Sequence, residues 1–221
     1  MPDKKFTLPH DSIWKRPDEA YFEYQDQAKP IAPEDVEWNG KYKAVRELRD
    51  LSVFGLSLYA FGGKSFFVQM NTQDASPDAF IMQQSSNDEL TADIGPVELT
   101  YYGNNRNGKP QETLLQRLTA KGGKFQKLPE GYALVIHIGP GQEVDHQAIT
   151  DCLVSMGAKF QVFSIQEIAN NPDTISRLVV YSPKCQFIDV NIGEVCYKLS
   201  KSKIFGTVTQ VKGRPPISGA S

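Results

Sequence analysis

The sequence predicts an α/β protein with a central mixed sheet flanked by helices. Three observations carry that prediction. Residues 41–60 place Ala44, Leu48, Leu51, Phe54 and Leu58 at three- and four-residue spacing, the pattern of an amphipathic helix. The run Tyr132–Ile138 (YALVIHI) is nearly continuous in apolar residues, which suits a strand covered on both faces. Strand, helix and strand then follow with short connections between residues 132 and 165, the pattern of a βαβ unit.

Composition bounds the rest. A chain of 221 residues suffices for one large domain with extensions. Hydrophobic residues make up 40%, enough for a core, and the formal net charge of −2 supplies no global attraction to nucleic acid or membrane. Such binding would need a local patch. Apolar runs are of strand length only, so no membrane-spanning helix is expected. The opening residues, MPDKKFTLPHDSIW, lack the apolar stretch of a secretory signal. Cys152, Cys185 and Cys196 make neither a disulfide framework nor a zinc spacing, and each reads as a small apolar filler. A reducing, cytoplasmic setting is the expectation.

The elements follow in order. Residues 1–40 read as an extended N-terminal arm. Pro2, Pro9, Pro17, Pro30 and Pro33 interrupt regular structure there, while Trp14, Tyr21, Phe22, Tyr24 and Trp38 supply aromatic contacts. Packing over the main domain is the plain role for such an arm; clamping DNA or a partner is the functional one, and the acids of Asp18–Glu37 weigh against it. The helix of residues 41–60 ends at Gly62-Gly63. It carries Glu47 on or beside its apolar stripe, where a lone carboxylate is costly unless a neighbour such as Lys43 pairs with it.

Ser65–Met70 (SFFVQM) is a short strand, and Asp78–Gln83 and Val97–Tyr102 are two more, joined by a polar excursion. Residues 103–109 form a loop, after which Pro110 suits the first turn of a helix carrying Leu114, Leu115 and Leu118. Beyond Tyr132–Ile138, Asp145 caps a helix that buries Ile149, Leu153 and Met156 and stops at Gly157. Phe160–Ile165, Arg177–Tyr181 and Gln186–Asn191 read as strands, and Glu194–Leu199 as strand or helix. The main domain is therefore 41–197. Residues 198–221 form a basic tail with Lys198, Lys201, Lys203, Lys212 and Arg214 and no acid, more often a solvated tail than a nucleic-acid contact.

Chemistry concentrates at Ser76–Gly103. Pro77-Asp78 opens one strand and Glu98-Leu99-Thr100 lies near the start of the next, after nineteen intervening residues. If the strands pair, two carboxylates converge at one sheet end, the donors a hard divalent cation takes. With the order helix, three strands, helix, strand, this resembles the PD-(D/E)XK nuclease superfamily over roughly residues 41–165.

The resemblance implies a restriction-endonuclease-like αβββαβ core. It implies Mg²⁺ or Mn²⁺ on Asp78 and Glu98, with Glu47 as a third ligand from the first helix. It also implies nucleic acid as substrate, with metal-activated water cleaving a phosphodiester. The family's lysine position holds Thr100, which donates a hydrogen bond but carries no charge; Lys109 from the following loop is the candidate replacement. Two functions follow. One is a metal-dependent nuclease or nuclease-derived nucleic-acid-binding domain. The other is a catalytically inactive interaction or structural protein that keeps the fold as a scaffold, possible as a homodimer through the arm.

Other candidates are weaker. His137, in the strand Tyr132–Ile138, reads as a satisfied core histidine before a phosphate contact. His146 reads as a helix-start surface residue. The loop Gly139–Glu143 reads as a tight turn, because it lacks a phosphate-loop pattern and Glu143 and Asp145 repel anions.

Overall fold

The computed structural model describes residues 13–71, 76–84, 92–103, 112–121, 123, 125–170, 174–182, 184–202 and 213–214. Helices α1 (Pro17–Ala28) and α2 (Pro33–Trp38) precede the long helix α3 (Lys43–Gly62). Strands β1 (Phe66–Met70), β2 (Ala79–Gln84) and β3 (Ala92–Tyr102) come next. After them, α4 (Leu114–Thr119) leads to β4 (Ala133–Ile138), and α5 (His146–Ser155) leads to β5 (Gln161–Asn170). The chain closes with β6 (Thr174–Val180), β7 (Gln186–Asn191), α6 (Ile192–Lys201) and the two-residue β8 (Gly213–Arg214).

All strands join one mixed sheet in chain order, β1 to β7, with β8 beside β3. The centre is parallel, since β4 runs parallel to both β3 and β5, while the remaining consecutive pairs are antiparallel. That placement explains why YALVIHI is continuously apolar: every residue of β4 is buried, with a helical layer on each side.

One core lies between the sheet and α1, α3 and α6, and includes Leu51, Phe54, Leu56, Val97, Leu99, Val135 and Leu199. The other lies under α4 and α5 and includes Leu114, Leu118, Leu134, Ile136, Ile149 and Leu153. Along β3 and β4 the two cores alternate residue by residue, as the period of a strand requires.

The end signals hold at α3 and α5, although Ala44 and Met156, both read on the buried faces of these helices, are exposed. Gly63 closes α3 in the left-handed region (φ 65°), its N–H on the Tyr59 carbonyl at 2.8 Å. Asp145 accepts from the Ala148 N–H at 2.9 Å at the start of α5, and Gly157 follows its end with φ 60°. Thr113 caps α4; Pro110 lies outside the described residues. Glu194–Leu199 is helical, inside α6.

The N-terminal segment is not merely an extended arm. From Pro17 onward it carries α1 and α2, and Trp14 is 1% exposed. Lys15 exchanges both backbone hydrogen bonds with Val68 at 3.0 and 2.8 Å, which covers the β1 edge of the sheet. Of the basic tail, residues 203–212 and 215–221 lie outside the described residues. No described helix is long and apolar enough to cross a membrane.

Candidate functional site

The β2–β3 ladder ends at the pair Ala79–Val97, while β3 continues to Tyr102 alongside β4. Asp78 lies just outside that ladder, in a bend. Its Oδ2 accepts the Leu99 N–H at 2.8 Å, and Lys43 Nζ of α3 stands 3.9 Å from its Oδ1. The same ammonium lies 3.1 Å from Glu47 Oε1. Burial raises the Glu47 carboxyl above its ordinary value; Lys43 opposes the rise and the charge of Asp78 adds to it. Glu47 and Asp78 therefore share the α3 side of the sheet.

Glu98 goes the other way. It stands opposite Leu134 in the parallel β3–β4 register, and Leu134 belongs to the core under α4 and α5. Glu98 is 3% exposed and accepts a hydrogen bond from Ser76 Oγ at 2.9 Å. Thr100, opposite Ile136, shares that face. The alternation of β3 is the cause, because Val97 and Leu99 point to α3 and their neighbours Glu98 and Thr100 cannot. Had the ladder run one residue further, Asp78 would pair with Glu98 and share its side.

The predicted acids are thus not brought into one donor set. Among the described residues no three His, Cys, Asp or Glu side chains are grouped to hold a metal ion. Glu47, Asp78 and Glu98 as arranged do not fit a shared Mg²⁺, and Lys109 lies outside the described residues.

A second constellation lies one step along the same α3-facing strip. Asp50 of α3 is 3% exposed and His137 of β4 is 8% exposed. His137 Nδ1 lies 2.7 Å from Asp50 Oδ1 and 2.7 Å from Arg49 Nη2. Arg49 Nε donates to Asp50 Oδ1 at 3.0 Å, and its Nη1 donates to Glu37 at the end of α2. Arg46 Nη1 donates to the carbonyls of Val36 and Glu37 at 3.1 and 2.8 Å. These carbonyls lie in the last turn of α2, and Arg46 supplies them the donor that the helix end lacks.

Aromatic rings close the strip. Trp38 meets Tyr101 edge-on with ring centres 5.5 Å apart, and Tyr101 meets His137 at 5.3 Å. The Tyr101 ring fits because Gly103 and Gly139 lack side chains; a Cβ on Gly139 would fall 2.3 Å from the Tyr101 hydroxyl. Burial, with the charge of Glu37, pushes the Tyr101 hydroxyl up to about 12. Burial alone would raise the Asp50 carboxyl, but His137 and Arg49 outweigh it and hold it below its ordinary value. Sequence reasoning placed His137 in the core but missed its partner. The available signal was Asp50, four residues before the buried Phe54 and so beside the apolar stripe of α3.

The remaining candidates take structural positions. His146 Nδ1 lies 2.8 Å from the hydroxyl of buried Tyr181, which in turn lies 3.0 Å from Ser164 Oγ. The loop Gly139–Glu143 turns at Gly141 (φ 72°). Burial, with the charge of Asp18, pushes the Cys196 thiol up to about 12, which keeps it protonated and unreactive.

No protein-family model, curated protein or solved structure matches this chain. Fold and site together define an α/β domain with a buried charge network between one helical layer and its parallel strands.

Proposed function

We propose that this chain is a non-cleaving interaction domain on a nuclease-like αβββαβ core. The order α3-β1-β2-β3-α4-β4 supports the core. The carrying observation is the separation of the two motif acids: Asp78 holds the Leu99 N–H on one side and Glu98 holds Ser76 on the other. Each carboxylate acts as a strand fastener. Across the strip, Arg46 and Arg49 face carbonyls and acids inside the fold, so their charge is not presented to a phosphate backbone, while the exposed Lys43 is shared between Glu47 and Asp78.

Calorimetric titration of the full chain with Mg²⁺ and Mn²⁺, beside cleavage assays on DNA and RNA, tests this reading. Neither binding nor cutting is expected. Metal-dependent cleavage that disappears in Asp78→Asn would overturn it. Light scattering over a range of concentrations shows whether the partner is a second copy. The full chain must be used, because Trp14 and α1 belong to the core.

A second reading, the metal-dependent nuclease, has one observation in its favour. Asp78 lies close enough to Glu47 to help raise its carboxyl, with Lys43 beside both. Under that reading Mg²⁺ binds in the calorimeter, and Glu47→Gln weakens the binding.

A further inference from the structure

His137 is the member of the charged strip that strand fastening leaves without a task. Its Nδ1 has two neighbours at the same 2.7 Å, Arg49 Nη2 and Asp50 Oδ1. A guanidinium only donates and a carboxylate only accepts, so one ring nitrogen cannot bond both at once. Without a proton, Nδ1 accepts from Arg49. With a proton it donates to Asp50, and the Arg49 contact becomes donor against donor. An imidazolium settles the choice, because Nδ1–H turns to Asp50 while the ring charge repels the guanidinium.

The consequence passes to α2. This helix has six residues and buries only Val36. It is held by the ion pair of Glu37 with Arg49, by the Arg46 bonds to its last carbonyls, and by Trp38 on Tyr101. We propose that α2 is a proton-controlled latch. In the neutral ring with its proton on Nε2, Nδ1 accepts from Arg49; protonation adds a proton on Nδ1, which turns to Asp50, shifts Arg49 and the Glu37 it holds, and lifts α2 from Tyr101.

The groups facing this centre are Tyr24 from α1, Glu37 from α2, Arg46, Arg49 and Asp50 from α3, and Tyr101 from β3. Burial raises both tyrosines, and the charges around Asp50 lower it, so none of these three changes state near neutrality. Arginines stay charged, and histidine is the side-chain type here that ordinarily titrates between pH 5 and 8. The latch goes beyond the strand-fastening role of the acids and does not depend on it.

Hydrogen exchange on the full chain at pH 8 and pH 5, corrected for the intrinsic pH dependence of exchange, tests the latch. Protection of amides 34–38 is expected to fall about tenfold at pH 5 while β4 keeps its protection, a local opening. In His137→Gln, which cannot titrate, the two pH values are expected to give the same α2 protection. Unchanged α2 protection in the native chain overturns the proposal, and so does an acid loss that persists in His137→Gln. Should that variant not fold, an NMR titration of the native chain decides. Coincident midpoints for the His137 ring and the α2 amides support the latch, and separate midpoints overturn it.

Discussion

Two arginine–aspartate pairs in this fold share their chemistry and differ in their surroundings. Arg177 of β6 grips Asp189 of β7 with two parallel bonds, 2.7 and 2.9 Å, and the side chains are 35% and 39% exposed. Arg49 reaches Asp50 with a single 3.0 Å bond, and those side chains are 13% and 5% exposed. By geometry the surface pair is the better one. By consequence it is the weaker, because water screens both charges and would solvate either one left alone. The inner pair has no such refuge, so its importance lies in the cost of breaking it. Burial, not the count of bonds, sets that cost.

The largest expected effect is at Asp50. Asp50→Ala leaves His137 without its carboxylate and Arg49 with Glu37 as its remaining acid, and a loss of about 3 kcal/mol in urea denaturation is expected, the low end for breaking a buried pair. A loss below about 1 kcal/mol would break the comparison, since it would put the inner pair on a level with an exposed one. The pH dependence sharpens it. The folded Asp50 carboxyl lies below its unfolded value, so the unfolded chain binds its proton more readily. The stabilisation is complete above the ordinary aspartate range, about 3.9, and is lost as pH falls through the lower folded value. Stability measured from pH 6 downward is expected to fall less steeply in Asp50→Asn.

A smaller effect of opposite sign is expected at Glu47. Its folded carboxyl is raised, chiefly by burial, so ionising it costs the folded state something at neutral pH. Glu47→Gln is expected to stabilise at pH 7 by less than about 1 kcal/mol, offset by the weakened Lys43 contact. The gain should vanish as pH falls below the ordinary glutamate range, where the native carboxyl is protonated in both states. A clear destabilisation at pH 7 would mean that the Lys43 bond outweighs burial. The smallest effect belongs to Asp189→Ala, expected to cost about 0–1 kcal/mol and to depend on salt, because Arg177 keeps solvent and the Phe187 ring 4.9 Å away.

Much of the fold was legible residue by residue. The three- and four-residue spacing of Leu48, Leu51 and Phe54 marked α3, and YALVIHI marked the central strand. Asp145 and Gly157 marked the ends of α5. The prolines misled, because Pro17 and Pro33 each begin a helix at the position where a missing N–H costs nothing. Strand β3 also starts earlier than its apolar run suggests, at Ala92; through Gly95 and Pro96 it pairs with β2 before β4 joins at Val97.

The candidate site was legible in composition and not in assembly. Asp78, Glu98 and Glu47 could be named from the sequence. Which of them meet could not, because that turns on a ladder that stops one residue short of Asp78. The Asp50–His137 contact joins residues 87 positions apart, beyond the reach of any periodic pattern.

By itself, then, the sequence determined which stretches bury a face and with what period, since those follow from local backbone geometry and side-chain alternation. Tertiary structure alone decided which charges share a dielectric. It set Glu98 under α4 and α5, Asp78 beside Lys43, and His137 between Arg49 and Asp50. A carboxylate's role depends on its neighbours in space, and strand order and the end of one ladder chose them.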